Sequence, residues 1–290
     1  MKKDILYIVD GYHWALFNRA KALSERLPLS SDIIFFKDIK SNIFNNYKIV
    51  YSLNWPIHGH IYKNIGEKQK RKYRLYTTIS SEINWPNYRS FFNILSKYDG
   101  VSVSSKILLS KINRQFPRLK ARLTPFGFDQ NTFFKKTDPS EYKNIFGWVG
   151  NPDRDVKRFS DIERAVKSVP GAKLVTATIR SGYSRDQMND FYNQIGSIIC
   201  FSKSEGTPNP VLEAAACGRR IISTPVGNIP EIKWAEKYIV HNKKQLEHRV
   251  KATLNSKEIG FSSESNYLKY RKEWCWDNRS KEFKKFLKKS

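Results

Sequence analysis

The feature that most restricts the fold is an alternation of short, β-rich apolar runs with longer amphipathic ones, and the alternation starts twice. Residues 4–9 read as a strand, and 14–27 follow with apolar positions at 16, 17, 20, 23 and 27, the spacing of one helix face. Strands are predicted at 33–36, 49–53, 73–79 and 101–104, then a helix at 106–116 and a strand at 119–124. A break at Pro125-Phe126-Gly127-Phe128-Asp129 and a polar hinge from Lys135 to Pro139 interrupt the pattern. It restarts with strands at 145–149, 172–177, 197–201 and 220–223, and helices at 159–169, 187–195 and 211–217. Strand–helix–strand units of this kind give a parallel sheet covered by helices. The expected fold is therefore α/β, with two Rossmann-like doubly wound domains at 1–135 and 136–266, facing each other across a cleft. The tail, 267–290, is helical, basic and aromatic. In such folds a ligand sits at the strand C-terminal ends.

With 290 residues and 40% apolar side chains, two packed cores can be filled. No run approaches the roughly 18 apolar residues of a membrane span, and the start MKKDILYIVDGYHW reads as a first strand rather than a leader. Cysteines at 200, 217 and 275 make no metal spacing, and a reduced, cytoplasmic setting is expected, the host cytosol for a phage or virus gene. The charge is lopsided: 52 basic against 27 acidic residues, a formal +25. Such a field attracts nucleic acid, acidic membrane or phosphorylated substrates, unless it only reflects a lysine-rich composition.

The stretch SEGTPNPVLEAAACG, 204–218, is the most specific local signal. A buried strand leads into a tight turn with two prolines, and a helix with a small Ala-Ala-Ala-Cys face stops at Gly218. Thr207 and Asn209 are expected as N-caps, with helix amides turned toward an anion at the strand end. Glu205 and Glu213 flank that turn. Taken alone they read equally as a helix-dipole partner and a solvated side chain.

Glu205, Gly206, Pro208, Asn209, Glu213, Ala214, Gly218, Gly227, Pro230 and Glu231 together resemble glycosyltransferase family 4, whose hallmark is two glutamates separated by seven residues. Thr124-Pro125-Phe126-Gly127-Phe128-Asp129 looks like that family's interdomain linker, Trp148-Val149-Gly150 with Lys157 like the opening of its second domain, and Trp274-Cys275-Trp276-Asp277 like the start of its last helix. The resemblance implies the GT-B fold, with the C-terminal helix crossing back to the first domain. It also implies transfer of a sugar from a UDP- or GDP-sugar with retention of configuration, and no required metal. Under it Glu213 accepts from the ribose hydroxyls, and Glu205 from those of the donor sugar. Amides around Gly206, Thr207, Pro208, Asn209, Val211 and Leu212 hold the diphosphate, with Gly11 and Gly150 close by. Lys157 matches the family lysine. Asn151 stands where an arginine is usual, so Arg154 or Arg158 is expected to supply that charge. His13 faces the same site. Ser80 stands where the family places a histidine, and His58 and His60 are candidates to compensate; without a third ligand they do not make a metal pair.

For the acceptor only electrostatics speaks. Lys63, Lys68, Lys70, Arg71, Lys72 and Arg74 lie beside Tyr62, Tyr73 and Tyr76, and Arg114, Arg118, Lys120 and Arg122 beside Phe116. Basic residues interleaved with aromatics suit a nucleic-acid track, so hydroxymethylated bases in DNA, as in phage enzymes, are the first expectation. A lipid-linked or surface-glycan acceptor at an anionic membrane, with peripheral attachment, is the second. An inactive GT-B binding module is the remaining reading.

Overall fold

The computed structural model describes residues 2–11, 15–40, 42–61, 71–82, 87–119, 121–256 and 260–289. They form two compact units, one of residues 1–126 with 276–290 and the other of 127–275.

The first unit runs β1 (Lys3–Val9), α1 (Ala15–Arg26), β2 (Ser31–Phe35), β3 (Tyr47–Ser52), α2 (His58–Ile61), β4 (Arg74–Ile79), α3 (Tyr88–Leu95), β5 (Gly100–Val103), α4 (Lys106–Gln115) and β6 (Arg122–Leu123). All strands pair in parallel, in the order β2-β1-β3-β4-β5-β6. Alternate residues of one strand go to opposite faces, and both faces are covered here. Leu6, Ile8, Val50 and Leu75 pack with Phe91 and Ile112 from α3 and α4, while Ile5, Tyr7, Tyr51 and Tyr76 pack under α1. This explains why the strands read as unbroken apolar runs.

The second unit runs β7 (Ile145–Gly150), α5 (Phe159–Lys167), β8 (Lys173–Thr178), α6 (Gln187–Asn193), β9 (Ser197–Cys200), α7 (Asn209–Ala216), β10 (Arg220–Ser223), β11 (Lys237–Ile239), α8 (Lys243–Asn255) and α9 (Glu264–Trp274). Its parallel sheet has the order β11-β10-β9-β7-β8. The helix α7 packs its small residues on β9 and β10: Ala214, Ala215, Ala216 and Cys217 are fully buried. Gly218 ends it at φ +83°, the left-handed conformation that glycine adopts most cheaply.

Two boundaries differ from the sequence reading. Residues 127–135 go with the second unit because Phe128 and Phe133 are buried in its core. The tail is two helices: Tyr270 and Trp274 of α9 are buried in the second unit, whereas α10 (Trp276–Lys289) lays Trp276, Phe283, Phe286 and Leu287 into the first. Cys275 between them is extended and bridges to Phe128. The helices α3 and α8 and the strand β11 were not anticipated.

Candidate functional site

In the second sheet β7 is flanked by β8 on one side and β9 on the other, so the strand order reverses between β7 and β9. Loops leaving the C-terminal ends at such a point diverge and open a crevice. Lys157 lies in the loop after β7 and Glu205 in the loop after β9. Their side chains meet: Lys157 Nζ is 2.6 Å from Glu205 Oε1, with only 18% and 13% of the two side chains exposed. Beneath them Trp148, Cys200, Ser202, Pro208 and Val211 line a cavity of about 20 Å³, room for a single water rather than a sugar.

The loop after β10 holds the Glu205 loop in shape. Thr224 donates through its hydroxyl to Ser202 O at 2.7 Å and through its N–H to Cys200 O at 3.0 Å. Asn228 Nδ2 donates to Thr207 Oγ1 at 3.2 Å. Gly227 sits at φ +55°, and a Cβ there would lie 2.4 Å from Gly206 O, so only glycine lets the two loops touch. From the other side, Lys203 N–H donates to Val156 O at 2.8 Å and Lys203 Nζ pairs with Asp155. Gly150 closes β7 beside the Trp148 ring, which a Cβ would approach to 3.0 Å.

The helix start differs from expectation. Pro208 occupies the cap position of α7, and no side chain caps the helix; Thr207 is engaged by Asn228 instead. Val211 and Leu212 N–H both turn to Pro208 O, at 2.9 and 3.4 Å, and Asn209 N–H to Thr207 O at 3.0 Å. Pro210 has no N–H. Among the described residues the amides of Ser204, Glu205, Gly206 and Thr207, in the loop itself, have no hydrogen-bond partner.

Glu213 lies one turn into α7, its side chain 16% exposed. Tyr192 OH donates to Oε2 at 2.8 Å, and Arg185 Nη1 stands 3.9 Å from Oε1. Burial raises the Glu213 carboxyl above the ordinary glutamate value, opposed by Arg185 and by the Tyr192 hydrogen bond. Of the two candidate arginines, Arg158 is committed: its guanidinium lies 3.8 Å from the Phe201 ring centroid and Nε donates to Asp161 at 3.2 Å. Arg154 is exposed, and its side chain makes no ion pair among the described residues.

The first-unit candidates disperse. His58 is buried, with Nδ1 3.0 Å from Tyr98 OH, and burial together with Lys97 lowers its pKa to about 4; it is a neutral core histidine and not an acceptor contact. Arg71 is also corrected: its side chain is 1% exposed, pairing with Asp99 Oδ2 and Lys97 O, both at 3.0 Å. Tyr73, Tyr76 and Phe116 are buried, so they offer no stacking platform to a base. Lys72 and Arg74 are exposed, Ser80 is half-buried against Asn54, and Gly11 is buried after β1. His13, Lys63, Lys68, Lys70, Tyr62 and Lys120 lie outside the described residues, as does the side chain of His60.

Sequence reasoning missed Tyr192, Arg185 and Asn228. Tyr192 reaches Glu213 from a different helix, 21 residues away, and no local spacing signals that.

Comparison with known proteins bears on the fold. Residues 135–256 match the family model described as "Glycosyl transferases group 1". Among solved structures, sucrose-phosphate synthase from Thermosynechococcus elongatus aligns with a TM-score of 0.75 at 12% identity, over 99% of this chain and 98% of that one. HepE of Anabaena, in complex with UDP and glucose, aligns at 0.71 and 10% identity, over 99% and 100%. The lipopolysaccharide outer core galactosyltransferase WaaB in its apo form aligns at 0.69 and 13%, over 98% and 99%. No curated protein matches by sequence.

Proposed function

We propose that this chain, GT-B in fold and matching a glycosyltransferase family model over residues 135–256, moves a sugar from a UDP- or GDP-sugar to an acceptor hydroxyl with retention of configuration. The observation that carries this reading is the half-enclosed Lys157–Glu205 pair at the reversal of strand order, on the same loop-and-helix unit as Glu213. A neighbouring fold that holds UDP and glucose supports the donor class.

Each residue has a physical task in that reaction. Glu213 accepts from the vicinal ribose hydroxyls, which a single carboxylate can engage together. The open amides of Glu205, Gly206 and Thr207 point toward the diphosphate. Lys157, released from Glu205 when phosphate arrives, and the unengaged Arg154 stabilise negative charge growing on the leaving diphosphate. Glu205 then turns its oxygens to the donor-sugar hydroxyls. Burial of Glu213 has a consequence for pH: since its carboxyl titrates above the usual 4.5, donor affinity is lost on acidification earlier than for an exposed glutamate.

For the acceptor the first reading is a hydroxymethylated base in DNA. It is supported by the net +25 alone, because Tyr73, Tyr76 and Phe116 beside the basic clusters are core residues. A membrane-borne acceptor is favoured by α10. Lys281, Lys284, Lys285 and Lys288 are all exposed at a spacing that puts them on one face, opposite buried Phe283, Phe286 and Leu287. Each lysine held near an anionic bilayer contributes about 1 kcal/mol.

The test is incubation with UDP- and GDP-sugars, following nucleotide release and the anomeric configuration of the product by NMR. Hydroxymethylated duplex and anionic vesicles carrying lipid acceptors are offered in parallel. Release with an α-linked product from an α-linked donor supports the reading; no release with any donor overturns it.

A further inference from the structure

We infer that Tyr192 is a positioning residue for the donor ribose, its buried hydroxyl holding one oxygen of Glu213 so that the other is presented to the sugar. The inference rests on the donor reading above, in which Glu213 meets the ribose.

The backbone carrying Tyr192 is fixed on several sides. Asn189 Oδ1 accepts from Phe134 N–H at 3.2 Å and from Cys217 Sγ at 3.1 Å. Asn193 Oδ1 accepts from Lys136 N–H at 2.7 Å and from Arg219 Nη2 at 3.0 Å. These bonds tie α6 both to α7 and to the segment entering the unit. The ring itself is fully buried, edge-on to Phe133 and Phe191 with centroids 5.8 and 5.6 Å away. A ring so confined has one place to aim its hydroxyl, and it donates to Glu213 Oε2 at 2.8 Å.

The two oxygens of Glu213 are therefore unequal. Oε2 already holds a strong donor. Among the described residues Oε1 has no hydrogen-bond donor, Arg185 standing 3.9 Å away. Burial, and then the nearby Glu213 charge, raises the Tyr192 phenol far above its ordinary value, so the proton stays on the tyrosine and the carboxylate accepts. Arg185 is partly exposed, with its guanidinium over the Phe133 ring at 5.2 Å. Without the tyrosine hydroxyl, the carboxylate can swing toward that guanidinium and leave the ribose.

A role in positioning predicts a specific loss rather than a general one. The probes are UDP and GDP against dUDP and dGDP, titrated calorimetrically into wild type and Tyr192→Phe, with donor KM and kcat measured on the same preparations. Wild type is expected to favour the ribonucleotide of its own base by about tenfold, the effect of one hydrogen bond to a charged group. In Tyr192→Phe that preference should shrink to about twofold, with the loss in KM rather than kcat. Glu213→Asp, which draws the carboxylate away from the hydroxyl while keeping its charge, should lose the preference likewise, giving a second route if Tyr192→Phe folds poorly. If both variants keep the full ribo-over-deoxy ratio, or weaken both nucleotides equally, Tyr192 only supports the fold and the inference is overturned. If wild type shows no ribose preference, the placement of ribose at Glu213 fails first, and the positioning role fails with it.

Discussion

The two units handle buried charge differently. In the second, Arg219 is fully buried with Nε on Cys217 O, Nη1 on Ile195 O, and Nη2 on Thr137 and Asn193. In the first, Arg19 is as deeply buried, yet only Nη2 finds partners, in Tyr51 OH and Thr78 Oγ1; Nε and Nη1 have none among the described residues. The rings of Phe126 and Phe283, 3.9 and 4.7 Å from its guanidinium carbon, take the place of an acid. Desolvation lowers both arginines to about 10. The same contrast extends to the candidate residues. In the second unit Glu205 and Lys157 meet in a half-enclosed pair and Glu213 lies one turn into the following helix, whereas in the first His58 and Arg71 are consumed by the core. Polar residues of the second unit thus serve both its packing, as Arg219 does, and the half-enclosed Lys157–Glu205 pair, whereas His58 and Arg71 of the first serve packing.

Lys157→Ala tests the contrast most severely. It should cut kcat by about 10² to 10³, the scale for removing one group that stabilises developing charge, and also lower the melting temperature because the half-enclosed Glu205 loses its partner. A loss of folding without a kinetic defect in the remaining folded protein would make the pair structural. Arg71→Ala should do the reverse. It leaves Asp99 without its arginine and should cost about 3 kcal/mol of stability in denaturant titration, while transfer per folded molecule stays the same. A transfer defect at full stability would restore Arg71 to the acceptor side.

His58 sharpens the contrast through pH. It is neutral in the fold down to about 4, while the unfolded chain takes up the proton near 6.5. Between those values the unfolded state binds more protons, so stability falls as pH drops from about 6.5 to about 4 and levels off below. The effect is at most about 3 kcal/mol. His58→Gln should flatten that slope in melts recorded across the interval; an unaltered slope would assign it to other groups. The smallest effects should come from the arginine pair. Arg154→Ala is expected to slow turnover about tenfold with no change in melting. Arg158→Ala should cost about 1 kcal/mol of stability, from the lost Phe201 stacking and Asp161 pair, and leave turnover nearly intact. An exchange of these outcomes would reverse their assignments.

The strand–turn–helix that carries the second unit's candidate residues was legible because its shape is set locally. Two prolines, Gly206 and the stop at Gly218 fix a turn whose flanking acids can be placed from spacing alone. The cap was misjudged there for a non-local reason: Thr207 is claimed by Asn228, 21 residues on and from another loop. Tyr192 was invisible for the same cause. In the first unit the basic and aromatic residues are interleaved in sequence, but the sheet is covered on both faces, so Tyr73 and Tyr76 enter separate apolar clusters. Tyr73 and Tyr76 thus vanish into the core, and pairing with Asp99 takes Arg71 with them. The tail read as one helix because nothing in its periodicity marks Cys275, whose extended backbone is set by the bridge to Phe128.

The most direct measurement is calorimetric titration of the whole chain with UDP-glucose and a GDP-hexose, repeated on Glu213→Ala. One donor should bind the wild type in the micromolar range, and the variant should bind it at least about tenfold more weakly. Equal affinity in the two proteins, or no binding of either donor to wild type, would contradict a donor site built on Glu205, Lys157 and Glu213.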